Sequence, residues 1–128
     1  MKILALAASL TFCASFAAAD PLEGVWQTEV DDGAFAHVTI KPCGAALCGT
    51  ITQTYKADGS TYASDNKGKQ IVTDMAAQGG GNYEGSVFRP SNGKTYYGTI
   101  ALSGDKLRLS GCVMGGLICA KQNWARVK

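Results

Sequence analysis

TYYGTIALSGDKLRLSGC, from Thr95 to Cys112, is the stretch of sequence that decides the fold. On both sides of Gly104-Asp105, apolar or small side chains alternate with polar ones, which is the period of two that half-buried β-strands show. A Gly-Asp pair between two such runs favours a tight hairpin turn, because these residues tolerate positive φ. We therefore predict two antiparallel strands, Thr95–Leu102 and Lys106–Cys112, each with one face turned towards a core.

The same pattern continues on both sides of this hairpin. Short β-rich runs alternate with glycine-rich turns, and no stretch after the N-terminal segment has the period of an amphipathic helix. The other predicted strands are Val25–Val30, Phe35–Lys41, Cys48–Tyr55, Asn82–Arg89 and Ala120–Val127, with a shorter one near Gln70–Asp74. Strands joined in this order predict an all-β fold, a small antiparallel up-and-down barrel of about eight strands, because closure removes exposed sheet edges.

Residues 1–19 have the three parts of a secretion signal: an early lysine, an uncharged apolar run and three final alanines. We predict cleavage before Asp20, which leaves a single domain over residues 20–128 in the periplasm or outside the cell. The apolar run is marginal for a membrane-spanning helix, which needs about 20 residues, so we expect no stable membrane insertion. A lipid anchor on Cys13 is the less favoured alternative, because Phe12 stands where a small residue is required.

The charge balance argues against two classes of partner. The chain has 12 Lys and Arg against 10 Asp and Glu, so removal of Lys2 leaves a net charge of +1, and no run of basic residues exists. Because neutralisation of phosphates dominates nucleic-acid affinity, we expect no nucleic-acid partner. For the same reason we expect no polybasic patch of the kind that holds proteins on anionic membranes.

Four cysteines follow the signal, and in a secreted chain they indicate two disulfides, for which three pairings exist. The period of two places Cys43 and Cys48 on the outer face, on either side of a hairpin loop, and does the same for Cys112 and Cys119. We therefore expect the bonds Cys43–Cys48 and Cys112–Cys119. A zinc site needs closer cysteine pairs and several histidines, and His37 is the single histidine, so we expect no metal and no cofactor.

The segment 56–81 interrupts the regular spacing of strands. It is mostly polar and contains the run Gly79-Gly80-Gly81. Loops of this length inside small domains are usually functional or disordered. We predict a long loop here, placed as a lid over a mouth of the barrel.

Five short motifs resemble those of a family of small secreted bacterial proteins known as domain of unknown function 2147. They follow one another over nearly the whole chain after the signal: Asp20–Trp26, Pro42–Gly49, Gly93–Tyr96, Gly111–Val113 and Trp124–Val127. At Phe88-Arg89-Pro90 the chain departs from the family's pattern, with a base in place of an acid. The resemblance implies a lipocalin-like barrel and no established activity.

The resemblance also extends to the closure of lipocalin barrels, where a tryptophan at the closed end packs against an arginine of the last strand. It implies that Trp26 meets Arg126 in a cation–π contact that covers the end of the core. Trp124 shares a face with Arg126, so either tryptophan, or both, is a candidate for this structural role.

Catalytic chemistry has little support in the sequence. His37 shares its predicted outer face with Phe35, Thr39 and Lys41, and nothing supplies the partner that a catalytic base needs. No Gly-x-Ser-x-Gly motif is present, and cysteines in disulfides are not nucleophiles. We therefore expect no catalytic residue and no enzyme activity.

Aromatic side chains are the better guide to function. An eight-stranded barrel has just enough interior to be packed solid or to hold one small ligand. Gly85 and Gly98 on inner positions favour a cavity, although they fit a need for curvature equally well. The predicted ligand-binding residues are Trp26, Tyr55, Lys69, Tyr83 and Tyr96, with Tyr62, Lys94 and Trp124 as further candidates.

We therefore expect a non-enzymatic binding protein that holds a small, largely apolar ligand inside its barrel. The alternative is a protein–protein interaction module, an inhibitor or envelope-assembly factor, that presents the 56–81 loop to an envelope protein. A cavity lined by aromatic side chains would favour the first function, and a solid core with a protruding loop would favour the second.

Overall fold

The structure, a computed structural model, describes residues 19–128, which form a closed barrel of eight strands. The predicted signal, residues 1–19, lies almost wholly outside the described residues. The strands are β1 (Gly24–Gln27), β2 (Ala34–Cys43), β3 (Ala46–Lys56), β4 (Gln70–Gly79), β5 (Asn82–Arg89), β6 (Lys94–Ser103), β7 (Lys106–Val113) and β8 (Ile118–Arg126). Each pairs antiparallel with the next, and β8 pairs with β1 to close the ring. The predicted all-β up-and-down barrel is confirmed.

The turns have the backbone geometry that their sequences favour. Between β1 and β2, Asp32 and Gly33 have φ values of 52° and 73°, as a two-residue hairpin turn requires. Between β6 and β7, Gly104 has a φ of 60°, and the register pairs Leu102 with Leu107 across the turn. In the described part of the chain, no helix is long and apolar enough to cross a membrane.

The prediction of one long loop over residues 56–81 is wrong, because β4 occupies Gln70–Gly79 and only residues 57–69 connect it to β3. The short strand predicted near Gln70–Asp74 is the first half of β4. A bulge hid the second half: Asp74 has a φ of 52°, and the register between β4 and β5 shifts there. A bulge interrupts the alternation by which a strand is recognised in sequence.

Disulfides join Cys43 to Cys48 and Cys112 to Cys119, the pairing expected from the strand faces. Each bond links the two strands of one hairpin, and Cys112 and Cys119 are direct partners in the β7–β8 register. Because the bonded residues are only 5 and 7 positions apart in sequence, these bonds hold two turns in place rather than hold the barrel closed.

Candidate functional site

The interior of the barrel has two halves along its axis. The closed half contains the N-terminal residues 20–23, the β2–β3, β4–β5 and β6–β7 turns, and the C-terminus. Large side chains fill its interior, and a second pocket of about 470 Å³ lies at this end between the N-terminal residues, the β2–β3 turn and β4. The large side chains that are almost fully buried include Leu22, Trp26, Val38, Ile40, Val72, Met75, Ile100, Leu107 and Trp124. The open half contains the other four connections between strands.

The open half encloses a cavity of about 680 Å³. In the open half, three strands have small residues at positions that face the cavity. These residues are Ala34 and Ala36 on β2, Gly111 on β7 and Ala120 on β8. In the closed half the same strands carry Val38, Ile40, Leu107 and Trp124 instead. The cavity exists because small side chains occupy positions that large ones would fill.

The walls of the cavity are mostly apolar. Ile51, Ile71, Val87 and Leu109 line it, and Trp124 lies between the cavity and the closed half. The charged residues that border it are Glu29, Asp31, Arg89 and Lys121, and all four are exposed, which places them at the rim. The cavity therefore offers an apolar interior beneath a charged mouth.

Three polar contacts line the cavity and fix its shape. The Thr54 hydroxyl donates to the Tyr62 carbonyl (2.6 Å), and Trp124 Nε1 donates to Gln122 Oε1. Tyr96 accepts a hydrogen bond from Asn92 Nδ2 (2.7 Å), so its hydroxyl still has a proton to donate. These uncharged groups suit a ligand with an apolar body and few polar atoms.

Thr54 shows how a bulge changes which side chains face inward. The register of β2 with β3 shifts between His37 and Val38, because β3 has one extra residue there. In a regular strand, side chains three positions apart face opposite sides. Here Ile51 and Thr54 are both buried. Strict alternation from Cys48, which is predicted on the outer face, would place Thr54 on that face as well. The extra residue in β3 moves its hydroxyl into the wall of the cavity.

The loop of residues 57–69 covers part of the mouth and is tied to β3 at several points. Lys56 N donates to the Ser60 carbonyl (2.8 Å), and Tyr62 N donates to the Thr54 carbonyl (3.2 Å). At the other end of the loop, Gly68 N donates to the Ile51 carbonyl (2.8 Å). These bonds hold both ends of the loop against the barrel.

Trp26 and Arg126 close the opposite end. The guanidinium carbon of Arg126 lies 4.3 Å from the centre of the Trp26 ring, while the indole donates to the Leu22 carbonyl (2.9 Å). Arg126 also donates to the carbonyls of Pro21 and Glu23 and pairs with Asp105 (3.0 Å). One side chain thus joins β8 to the N-terminal residues and covers the tryptophan from solvent.

Tyr83 belongs to the same closed end. Its hydroxyl donates to Asp20 Oδ1 (2.6 Å), which also accepts from the Leu22 N–H (2.9 Å). Burial, and then the hydrogen bond and negative charge of Asp20, raise the pKa of Tyr83 well above its usual range. Tyr83 therefore stays a neutral donor that holds the N-terminal residues on the barrel.

The structure does not bring the five predicted ligand-binding residues together. Tyr96 lines the cavity, whereas Trp26 and Tyr83 are buried at the closed end. Tyr55 does not line the cavity but stacks on Phe35, which does, and Lys69 is exposed at the end of the 57–69 loop. Of the further candidates, Tyr62 and Trp124 line the cavity and the exposed Lys94 does not.

Gly85 and Gly98, which were expected to favour a cavity, do not line it. An added Cβ on Gly98 would lie 2.4 Å from Val87 Cγ2 and 2.9 Å from Met75 Cε, so larger neighbours already occupy that space. An added Cβ on Gly85 would lie 2.6 Å from the Thr73 carbonyl oxygen, at the bulge of β4. Both glycines permit close packing, and the small residues that form the cavity lie elsewhere.

His37 lies on the outer wall, away from the cavity. Tyr55 OH is 3.4 Å from His37 Nδ1, and Gln27 Oε1 is 3.4 Å from Nε2. Burial, and secondly the positive charge of Lys128, lower the pKa of His37. The histidine is part of an aromatic cluster with Phe35 and Tyr55, of which Phe35 lines the cavity and His37 does not.

Apolar and uncharged polar groups form most of the cavity wall. Its ionisable groups are confined to the rim and the phenols of Tyr62 and Tyr96, which form no nucleophile–base pair. Among the described residues, the one cluster with metal-like spacing is Cys43, Cys48 and Asp74, whose two sulfurs are joined in a disulfide. A disulfide leaves no thiolate to bind an ion.

Comparisons with known proteins agree with this architecture. A family profile described as "Uncharacterized protein conserved in bacteria (DUF2147)" matches residues 24–126. Among solved structures, the chain is similar to protein HP1028 of Helicobacter pylori, described as belonging to the lipocalin family, with a TM-score of 0.65 and 19% identity over 84% of this chain and 83% of that chain. At this identity the likeness shows a lipocalin-like fold. A search of curated proteins found no match.

Proposed function

The chain belongs to this family, DUF2147, whose description assigns no activity, and we propose that it is a non-enzymatic protein that binds one small, largely apolar molecule in the cavity of its open half. The cavity itself carries the proposal. Its volume of about 680 Å³ lies within the range of about 300–1,000 Å³ that small-molecule sites occupy.

The lining indicates the class of ligand. Aliphatic side chains and the indole of Trp124 form most of the wall, and the polar atoms are uncharged. A buried charge without a partner is strongly unfavourable, so a charged group on the ligand would have to stay at the rim beside Arg89 or Lys121. We infer a ligand with an apolar body and at most one polar end. Of the five residues that the sequence predicted to bind the ligand, we propose Tyr96 as a ligand contact.

The cell envelope is the proposed site of action. The predicted signal over residues 1–19 and the two disulfides both fit an oxidising compartment, the periplasm or the extracellular space. Apolar molecules are poorly soluble in these aqueous spaces, where a protein that encloses them would be useful.

Native mass spectrometry of protein purified gently from the periplasm is the first test. A bound mass that is lost on denaturation is the expected result, and its composition would give the class of ligand. A bare polypeptide mass would leave the cavity empty in the cell and favour the alternative, a protein–protein module that uses the 57–69 loop.

A fluorescence titration with the neutral apolar probe N-phenyl-1-naphthylamine tests the site directly. Ala36→Leu adds three carbons inside the cavity, so we expect probe affinity to fall by about tenfold or more while the fold is retained. Ala101→Leu is the matched control, since Ala101 is exposed on β6, and it should bind the probe like the wild type. Equal affinity of Ala36→Leu and wild type would place the probe elsewhere and contradict the proposed site.

A further inference from the structure

The turn between β7 and β8 presents a group of exposed apolar side chains. Its sequence, Val113 to Ile118, contains no polar side chain. Leu117 is 84% exposed, Met114 69% and Ile118 59%, and Val113 is exposed as well. Single exposed apolar residues are common on proteins, but a contiguous group of them indicates a contact site. We call residues 113–118 the apolar tip.

The apolar tip is held in a fixed shape. The disulfide Cys112–Cys119 joins its two ends, and the chain makes a single 3₁₀ turn over Met114–Gly116. Met114 has a φ of 54°, a conformation that is unfavourable for a residue with a side chain. Because the backbone is held this way, the side chains stay at the mouth, and a partner meets them already arranged for contact.

The charge around the apolar tip is positive. Exposed Arg89 ends β5 and exposed Lys94 begins β6, on either side of their connection at the mouth, and exposed Lys121 lies on β8. From residue 90 to residue 128 the chain has one acid, Asp105, which lies at the closed end in its ion pair with Arg126. The open half of β6, β7 and β8 therefore carries no acid, and the one acid of β5, Glu84, lies beside Tyr97 in the part of its strand nearer the closed end.

Acids border the mouth on the side of the β1–β2 turn. Glu29, Asp31 and Asp32 are exposed there, next to β8 around the barrel. A negatively charged surface would attract the side with the apolar tip and repel the side with this turn. The mouth can therefore meet such a surface in one tilted orientation, with the tip foremost.

We propose that the apolar tip docks on an anionic lipid bilayer, with Met114, Leu117 and Ile118 inserted among the lipids and Arg89, Lys94 and Lys121 at the phosphate level. Apolar side chains at the end of a rigid hairpin project outward, which suits insertion into a soft interface. Basic residues beside an apolar insert add attraction to anionic lipids. The contact rests chiefly on the apolar residues, since three bases are too few for a polybasic patch.

This docking goes beyond the proposed binding of a ligand and is tested separately. Val113 and Ile118 also line the cavity. When the protein is docked on a bilayer, the mouth of the cavity would therefore lie beside the lipid chains. The variant Ala36→Leu should keep the affinity for vesicles, and the variant Leu117→Ser should keep the affinity for the soluble naphthylamine probe. Failure of one proposal therefore leaves the other measurable.

Sedimentation with vesicles is the decisive experiment. The full protein should sediment with vesicles of equal parts phosphatidylglycerol and phosphatidylcholine, and less with phosphatidylcholine alone. The double variant Leu117→Ser, Ile118→Ser should lose about tenfold or more of this binding, because two inserted side chains are removed. Val127→Ser, which removes an exposed apolar residue at the closed end, is the matched control and should bind like the wild type.

A reporter in the tip gives an independent measurement. Leu117→Trp places an indole at the most exposed position, and its emission should shift to shorter wavelength only when anionic vesicles are present. Binding that is equal in wild type and double variant would overturn the proposal, as would the absence of binding. A concentration-dependent dimer that the double variant abolishes, without vesicle binding, would also overturn it and make the tip a contact between two copies.

Discussion

The closed and open halves of this barrel are built from the same eight strands, yet large side chains fill the interior of one and the other is hollow. In the closed half, Trp26 and Ile40 fill the interior and are almost completely buried. In the open half, Ala36 and Gly111 occupy equivalent inward positions and leave about 680 Å³. Strand number sets the width of a barrel, and the size of a few inward side chains then decides whether it is filled.

This division assigns different demands to the two halves. The closed half contains most of the core cluster and the contacts of Arg126, so most of the stability should originate there. The open half has fewer apolar contacts, and its inward residues are freer to change with the ligand. The same substitution should therefore lower the free energy of unfolding by different amounts in the two halves.

The largest effect is expected for Trp26→Ala. Removal of a fully buried indole at the closed end should lower the free energy of unfolding by about 3–5 kcal/mol. Tyr96→Ala in the open half should cost about 1 kcal/mol, because that side chain is only half-buried. Urea denaturation followed by circular dichroism measures both, and a loss within about 0.5 kcal/mol for Trp26→Ala would mean that the closed half does not dominate stability.

A matched pair of isoleucines sharpens the comparison. Ile40 is packed in the closed half and Ile71 borders the cavity, so Ile40→Ala should cost about 3–4 kcal/mol and Ile71→Ala about 2 kcal/mol. A side chain beside a void has fewer partner atoms to lose. The same denaturation experiment applies, and equal losses would show that the open half is packed as tightly as the closed half.

The smallest effect is expected on the outer wall, at His37. Its pKa is lowered below 6.5 by burial and by Lys128, so the unfolded chain binds the proton more readily than the folded chain. The free energy of unfolding should therefore fall slightly as the pH drops from about 7.5 to 5.5, since solvent screens much of the effect at this partly exposed side chain.

Denaturation midpoints at these two pH values measure the effect of His37. His37→Gln should show a smaller decrease than the wild type, since it removes this titrating group. An unchanged decrease would assign the pH dependence to other groups and leave His37 without influence on stability.

Local signals in the sequence were sufficient for much of the fold. The alternation around Gly104-Asp105 predicted its hairpin, and the strand faces predicted both disulfides. The second half of β4 and the inward position of Thr54 escaped prediction, because bulges at Asp74 and in β3 change the alternation. A bulge depends on the partner strand, which a single strand's sequence does not show.

The candidate site was harder to predict than the fold. Choosing aromatic residues by type selected Trp26 and Tyr83, which lie in the closed half, along with Tyr96, which lines the cavity. The informative signal was the row of small inward residues, Ala34 and Ala36, followed on the same face by Val38 and Ile40. Its meaning depends on which end of the barrel is closed, and that is a property of the complete ring of strands.

The contact between Arg126 and the N-terminal residues has a consequence for how the barrel forms. Seven of the eight strand pairings join neighbours in sequence and can form as local hairpins, whereas β8 must find β1 across almost the whole chain. Arg126 and the Glu23 carbonyl are 103 residues apart. Closing a loop of that length has a large entropic cost before any contact offsets it, so ring closure should be the late and slow step of folding.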